Sequence, residues 1–106
     1  MEITGKELQE KINNGDKVIV DFWAKFCGPC KTMKPIFEKV ADEMRSNNSE
    51  VQLYTMDVEE NRDFAVSLGV RAVPTVKSFS NGQEVYSQPG MKVESEIKEL
   101  IKELNG

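Results

Sequence analysis

The segment from Val18 to Trp23 limits the folds open to this chain more than any other part of its sequence. It is β-branched or aromatic at nearly every position, and Asp21 is its one polar residue. A strand with this pattern is buried on both faces, so it belongs in the middle of a sheet that helices cover on both sides. The sequence therefore predicts an α/β fold with this strand at its centre.

The hydrophobic patterns around this segment alternate between helix and strand and end in a hairpin. Thr4 and Glu7 have the spacing of a capping box at the start of a first helix. Apolar residues recur at helical spacing from Cys30 to Met44, and Asn81-Gly82 separates two β-prone runs, as in a hairpin. Strands are predicted at residues 18–23, 51–58, 75–79 and 84–86, with an optional extra strand at 1–3. The order is helix, strand, helix, strand, helix, strand, strand, helix, which predicts a mixed sheet with helices on both faces.

The composition excludes several kinds of active site. The chain has 106 residues and 0 His, so metal sites built on His, Ser-His or Cys-His nucleophile pairs and His proton shuttles are impossible. Any acid–base chemistry must use carboxylates, thiols or lysines. The length predicts one domain, residues 1–106, with one hydrophobic core.

Charge and hydropathy limit the kinds of binding partner and the cellular compartment that we expect for this protein. The net charge is −4 and the lysines are scattered among acidic residues, so we expect no nucleic-acid ligand. The longest apolar runs fall far short of the roughly 20 residues that cross a bilayer, and the first residues carry no secretion signal. We expect a soluble, cytoplasmic protein with no membrane partner. In a reducing compartment, two cysteines serve redox chemistry or metal binding more often than a structural disulfide.

The motif Cys27-Gly28-Pro29-Cys30 lies where the buried strand ends and the second helix begins. Free N–H groups and the positive end of the helix dipole stabilise an anion there, which favours the thiolate of Cys27. Gly28 permits a tight turn, and Pro29 suits a first helical turn, where a missing N–H costs little. The two sulfurs are then one turn apart, close enough to form a disulfide reversibly.

Other interpretations of the motif stay open at this point. A C-x-x-C pair is half of a zinc knuckle, but a four-ligand site needs two more Cys or His, which this chain lacks. A zinc or iron–sulfur site shared between two subunits is the remaining metal alternative, although we expect no metal. A purely structural disulfide is disfavoured, since so short a loop constrains the unfolded chain little.

A longer pattern surrounds this motif. Residues Val20 to Lys31 read VDFWAKFCGPCK, and Pro35 and Val73-Pro74-Thr75 follow further along. In order and spacing they resemble the thioredoxin family, and the resemblance covers essentially the whole chain. It implies a single-domain thioredoxin fold with a central mixed sheet of four to five strands flanked by four helices. It also implies a protein-disulfide reductase that needs no cofactor, acts as a monomer on disulfide-containing proteins and is recharged by a thioredoxin reductase.

The resemblance also assigns chemical roles. Cys27 is the nucleophile that forms a mixed disulfide with a substrate, and Cys30 is the buried resolving thiol. Asp21 is the proton acceptor and donor for Cys30. From the residues alone Asp21 has two interpretations: an apolar strand desolvates it and raises its pKa towards neutrality, or it is simply hydrogen-bonded to backbone at a strand end.

Further residues shape the site in this resemblance. Gly28 and Pro29 set the geometry of the motif. Trp23, near the end of the strand, has two interpretations: it flanks the motif and shields Asp21, or it is only a core aromatic. The Val73-Pro74 peptide is cis and pairs with an extended substrate segment. The apolar platform that receives substrates consists of Phe26, Val73, Pro74, Gly90 and Met91.

Two positions depart from the family pattern. Phe26 stands where many thioredoxins have Trp. Thr55 stands where bacterial members often have a Lys near the buried Asp, so we expect that cation to be missing and the pKa of Asp21 to be higher. Gly-Pro between the cysteines favours reduction, and an oxidase or isomerase is the second enzyme hypothesis. The alternative to an enzyme is a thioredoxin-like binding module with incidental redox activity.

Overall fold

A computed structural model describes all residues, 1–106, and contains four helices and four strands in the predicted order. The elements are α1 Gly5–Asn13, β1 Lys17–Trp23, α2 Gly28–Ser46, β2 Val51–Asp57, α3 Arg62–Ser67, β3 Thr75–Ser80, β4 Gln83–Pro89 and α4 Glu94–Asn105. Helix α2 begins at Gly28, earlier than the apolar pattern from Cys30, because Pro29 occupies its first turn. No helix is long and apolar enough to cross a membrane.

The sheet is mixed, as predicted, and its strand order is β2-β1-β3-β4. Strand β1 pairs in parallel with β2 and antiparallel with β3, while β3 and β4 form an antiparallel hairpin. The segment from Val18 to Trp23 thus lies inside the sheet. At the hairpin turn Asn81 and Gly82 have φ values of 55° and 81°, the left-handed conformation that a two-residue hairpin loop requires.

The optional fifth strand at residues 1–3 does not form. Only Glu2 makes a β-bridge, to Thr55, where the Ile3 N–H donates to the Thr55 carbonyl at 2.8 Å and the Thr55 N–H donates to the Met1 carbonyl at 2.9 Å. The reason is the early start of helix α1, which begins at Gly5 directly after its N-cap Thr4 and so ends the extended segment. The predicted capping box is present: the Glu7 N–H donates to Thr4 Oγ1 at 3.1 Å and the Thr4 N–H to the Glu7 carboxylate at 2.9 Å.

Side chains of β1 alternate between two hydrophobic cores. Val18, Val20 and Phe22 pack with residues of α1 on one face, and Ile19 packs with residues of α2 and α4 on the other. All four are fully buried. Asp21 follows the same alternation, so its carboxyl points to the α2 side of the sheet. The fold therefore places a buried ionisable group beside a largely apolar core.

Candidate active site

The two cysteines lie at the junction of β1 and α2, where the sequence placed them. Cys27 is the N-cap of α2 and Cys30 is in its first turn; the two form a disulfide, with their Cα atoms 5.2 Å apart. Gly28 and Pro29 are exposed between them. Cys27 is partly exposed, whereas Cys30 is only 1% exposed. A substrate disulfide can therefore reach one sulfur and not the other.

The start of α2 provides the electrostatics expected for the outer cysteine. The Cys30 N–H donates to the Cys27 sulfur at 3.1 Å, so this sulfur sits at the positive end of a 19-residue helix. In the reduced protein, this position stabilises a thiolate on Cys27. Lys25 contributes less than its charge suggests, because its ammonium lies 3.9 Å from the Glu60 carboxylate.

Asp21 is fully buried and neither of its carboxyl oxygens has a hydrogen-bond partner. The interpretation of Asp21 as a backbone-bonded strand-end residue is therefore wrong. Burial raises the pKa of Asp21 from 3.8 to about 7; the Glu2 carboxylate adds to the rise, the Lys34 ammonium opposes it and the Glu38 carboxylate adds a smaller contribution. A carboxyl with a pKa near neutrality exchanges protons readily at physiological pH.

Sequence reasoning missed two residues of this site, Glu2 and Lys34. The Trp23 indole N–H donates to both oxygens of Glu2 at 3.2 Å, and Lys34 Nζ lies 3.9 Å from Glu2 and 4.0 Å from the centre of the Trp23 ring. Thr55 brings no cation to Asp21 and the pKa of Asp21 is raised, both as expected; Lys34 of α2 is a different cation, which opposes the rise only in part. Lys34 could have been identified from the sequence, because residues four apart on a helix are neighbours and it lies four residues after Cys30. Nothing in the sequence links Glu2 to the motif.

The other predicted site residues lie at the same end of the sheet. Phe22 pairs with Thr75, and Thr75 with Pro89, so the segments that follow β1, precede β3 and follow β4 meet there. The Val73-Pro74 peptide is cis, and the Gly90 N–H donates to the Pro74 carbonyl at 2.8 Å.

The exposure of these residues differs. Phe26 is 89% exposed and Met91 45%, so both present apolar surface to solvent. Val73 is partly exposed, whereas Pro74 is buried. The apolar surface available to a partner thus consists mainly of Phe26, Val73 and Met91.

A cleft of about 350 Å³ opens beside the motif. Trp23, Cys30, Lys34 and Glu38 are among its lining residues. It brings solvent to the edge of the nearly buried Cys30, on the side where Lys34 and Glu38 lie.

Comparison with known proteins decides the family. The Thioredoxin family model matches residues 1–103 of this chain. The chain belongs to the thioredoxin family. It has the single-domain thioredoxin fold, a four-stranded mixed sheet with four helices. It is a thiol-disulfide oxidoreductase of the thioredoxin type, with Cys27 and Cys30 as its redox pair.

Individual thioredoxins are similar over most of the chain. A thioredoxin of Malassezia sympodialis is 44% identical over 84 residues, 78% of this chain and 78% of its own length. The mitochondrial thioredoxin of Bos taurus is 35% identical over 96% of this chain and 60% of its own. Among solved structures, a mutant thioredoxin from Halobacterium salinarum superposes with a TM-score of 0.85 at 32% identity, covering 100% of this chain and 90% of the other.

Proposed function

We propose that this thioredoxin-family protein acts mainly as a protein-disulfide reductase, with Cys27 as the nucleophile and Cys30 as the resolving thiol. The observation that carries the proposal is the asymmetry of the pair: Cys27 is partly exposed at the N-terminus of α2, and Cys30 is 1% exposed. The outer sulfur is accessible and stabilised as a thiolate, so it attacks first. The inner sulfur is protected from solution oxidants and meets only the mixed disulfide.

The proposed reaction has two exchange steps. The Cys27 thiolate attacks one sulfur of the substrate disulfide, a mixed disulfide forms, and the other substrate sulfur leaves as a thiolate that takes a proton. Cys30 then loses its proton and attacks the Cys27 sulfur, which releases the second substrate thiolate and leaves the Cys27–Cys30 disulfide. Two electrons pass from the dithiol to the substrate.

Asp21 is the proposed proton acceptor for the second step. Its carboxyl is buried on the α2 side of the sheet, has no hydrogen-bond partner and has a pKa of about 7. At neutral pH a large fraction is ionised, and a desolvated carboxylate is a stronger base than one in water. Because the chain has no His, a carboxylate is the expected base for this step, and the buried carboxyl of Asp21 has no hydrogen-bond partner that would compete for the proton.

Substrates are proposed to bind across the apolar platform of Phe26, Val73, Pro74, Gly90 and Met91. An extended substrate segment pairs with the backbone of Val73, which gives affinity without demanding a particular sequence, and Phe26 and Met91 add apolar contacts. Such a surface suits an enzyme with many disulfide-containing substrate proteins.

The remaining assignments concern partners and compartment. We assign a thioredoxin reductase as the electron donor, because the dithiol must be returned to its reduced state after each turnover. The assigned compartment is the cytoplasm, which keeps thiols reduced. The assigned working form is a monomer. The mitochondrion is the second compartment to test, since the Bos taurus relative is named as mitochondrial.

The reduction potential of Cys27/Cys30, measured with insulin reduction by NADPH and thioredoxin reductase, tests the direction of the reaction. A reductase has a potential below that of the cytosolic glutathione pool, about −240 mV, and turns over insulin. A potential well above that value would assign the protein to the oxidases or isomerases. A folded protein that does not reduce insulin would instead indicate a binding module.

A further inference from the structure

The Glu2 carboxylate joins several groups around the buried end of the site. It accepts hydrogen bonds from the Trp23 indole N–H at 3.2 Å, from the Thr55 hydroxyl and from the Asp57 backbone N–H at 2.9 Å. It also lies 3.9 Å from Lys34 Nζ. Glu2 thus accepts hydrogen bonds from β1 and β2 and forms an ion pair with α2. This number of contacts is more than a carboxylate that serves only solubility would make.

Backbone pairing fixes Glu2 in this place. Its neighbours Met1 and Ile3 exchange hydrogen bonds with Thr55, at 2.9 Å and 2.8 Å, so Glu2 cannot slide along β2. Thr55 in turn lies directly opposite Asp21 in the parallel register. Directly opposed side chains share a face of a sheet, and Glu2 reaches the Thr55 hydroxyl, so the Glu2 carboxylate is on the same face as Asp21.

The charged groups that face Asp21 come from two elements. Helix α2 contributes Lys34 and Glu38, and the N-terminal segment contributes Glu2. On β2, Thr55 is neutral and the Asp57 carboxylate accepts the N–H groups of the turn that follows the strand. On β3 the residue opposite Asp21 is Val76, which carries no charge. Cys30 of α2 adds a titratable thiol only when the disulfide is reduced.

We propose that Glu2 is a positioning residue for the Cys30 step, because it holds Lys34 against Trp23 and offsets the positive charge that Lys34 would otherwise present to Asp21. The inference rests on the proposed role of Asp21. An unopposed ammonium beside this site would lower the pKa of Asp21 and leave less of it protonated at neutral pH. Burial raises this pKa most, and the Glu2 carboxylate offsets the effect of Lys34, so Asp21 can both take and return a proton near pH 7.

Removal of the Glu2 charge and removal of the Lys34 charge should move the pKa of Asp21 in opposite directions. Glu2 raises the pKa of Asp21 and Lys34 lowers it. Glu2→Gln keeps the size of the side chain and a hydrogen-bond acceptor but removes the charge, so the pKa of Asp21 falls. Lys34→Gln removes the opposing charge, so the pKa of Asp21 rises. If the substitutions instead loosened the site, water would enter and the pKa of Asp21 would fall in both variants.

The test is a carboxyl-carbon NMR titration of Asp21 in the oxidised protein, where neither cysteine titrates. We expect Glu2→Gln to shift the midpoint down by roughly half a unit to one unit and Lys34→Gln to shift it up by a similar amount. Glu2→Asp keeps the charge and should restore part of the shift. The matched control is Glu99→Gln, which removes an equal charge from an exposed position on α4 and should leave the midpoint unchanged.

Trp23 is the only tryptophan, so its fluorescence reports on packing at the site. We expect its emission maximum to stay in place in Glu2→Gln while the Asp21 midpoint moves. No difference between Glu2→Gln and Glu99→Gln would overturn the proposal. So would a falling midpoint accompanied by a red-shifted emission, since water entry would then explain it. The titration does not depend on turnover, so it separates this proposal from the proposed function. If Glu2→Gln moves the midpoint but Asp21→Asn leaves substrate release unchanged, Asp21 is not the proton acceptor for Cys30. The electrostatic coupling between Glu2 and Asp21 would still stand.

Discussion

Thr55 lies directly opposite Asp21 in the sheet but gives it no hydrogen bond. The Thr55 hydroxyl donates to Glu2 instead, so the buried Asp21 carboxyl is left without a hydrogen-bond partner. Burying a polar group without a partner costs free energy, and burying a charge costs more. The site therefore keeps Asp21 at the expense of stability, which is expected where a side chain serves chemistry rather than folding.

Asp21→Asn should stabilise the oxidised protein in a pH-dependent way. Below pH 3.8 Asp21 is protonated in both the folded and unfolded states, so its ionisation costs nothing. As the pH rises to about 7 the unfolded chain loses this proton while the folded protein keeps it, so stability falls. Above pH 7 the full cost, about 4 kcal/mol for a pKa displaced from 3.8 to about 7, is present. Asn avoids this cost.

Urea denaturation at several pH values measures this effect. The difference in unfolding free energy between Asp21→Asn and the wild type should grow from near zero at about pH 3 to its maximum at about pH 8. Asp63→Asn is the control, because Asp63 is an exposed residue of α3, and its difference should stay nearly flat with pH. A pH-independent difference for Asp21→Asn would show that Asp21 ionises normally in the folded protein.

The sequence predicted those parts of this molecule that depend on local pattern. β1 was evident because Val18, Val20 and Phe22 face one core and Ile19 the other, which leaves no polar face. The burial of Asp21 followed from its position within that strand, and the place of the motif from the end of the strand and the start of the next helix. The charge environment of Asp21 did not follow, because it depends on Glu2, and Glu2 reaches the site only through backbone pairing with Thr55. Long-range pairing of one residue leaves no periodic signal.

Substitution of the two cysteines should have different consequences. Cys27→Ser removes the accessible sulfur, so insulin reduction should fall to the uncatalysed background. Cys30→Ser leaves the attacking thiolate intact but removes the buried group that resolves the mixed disulfide, so covalent complexes with substrates should accumulate. Non-reducing gels followed by mass spectrometry detect these complexes, and dithiothreitol should release them.

The control for trapping is the double variant Cys27→Ser/Cys30→Ser, which should capture nothing. Complexes that form with Cys27→Ser and not with Cys30→Ser would reverse the assignment of the two sulfurs. The far-ultraviolet circular dichroism spectrum should match the wild type in each variant, because a short-loop disulfide contributes little to folding.

Phe26→Ala should weaken substrate binding without affecting the fold. The Phe26 side chain is 89% exposed, so its removal should change the free energy of unfolding by no more than about 0.5 kcal/mol. If it forms part of the substrate platform, KM for insulin should rise roughly threefold to tenfold while kcat changes little. Phe26→Trp restores the residue of the family pattern and should lower KM.

Val85→Ala is a matched control for Phe26→Ala. Val85 is 55% exposed on β4, so it also presents an apolar side chain to solvent, outside the predicted platform. Its substitution should leave both KM and kcat at wild-type values. Equal effects of the two substitutions would mean that Phe26 makes no specific contact with the substrate.

Gly90→Ala should impair substrate reduction more than its effect on stability explains. Gly90 has a φ of 103°, a conformation that costs a residue with a Cβ about 1–2 kcal/mol. To relieve the strain the loop must shift, although a Cβ there would meet no atom within 4 Å. The shift would disturb the hydrogen bond from the Gly90 N–H to the Pro74 carbonyl and, with it, the proposed substrate platform. Gly15→Ala provides the comparison, since Gly15 has a φ of 81° with no atom within 4 Å of a Cβ and lies between α1 and β1. Steady-state kinetics with insulin and urea denaturation should show similar losses of stability in the two variants but a loss of kcat/KM only in Gly90→Ala; equal kinetics in both would remove Gly90 from the substrate site.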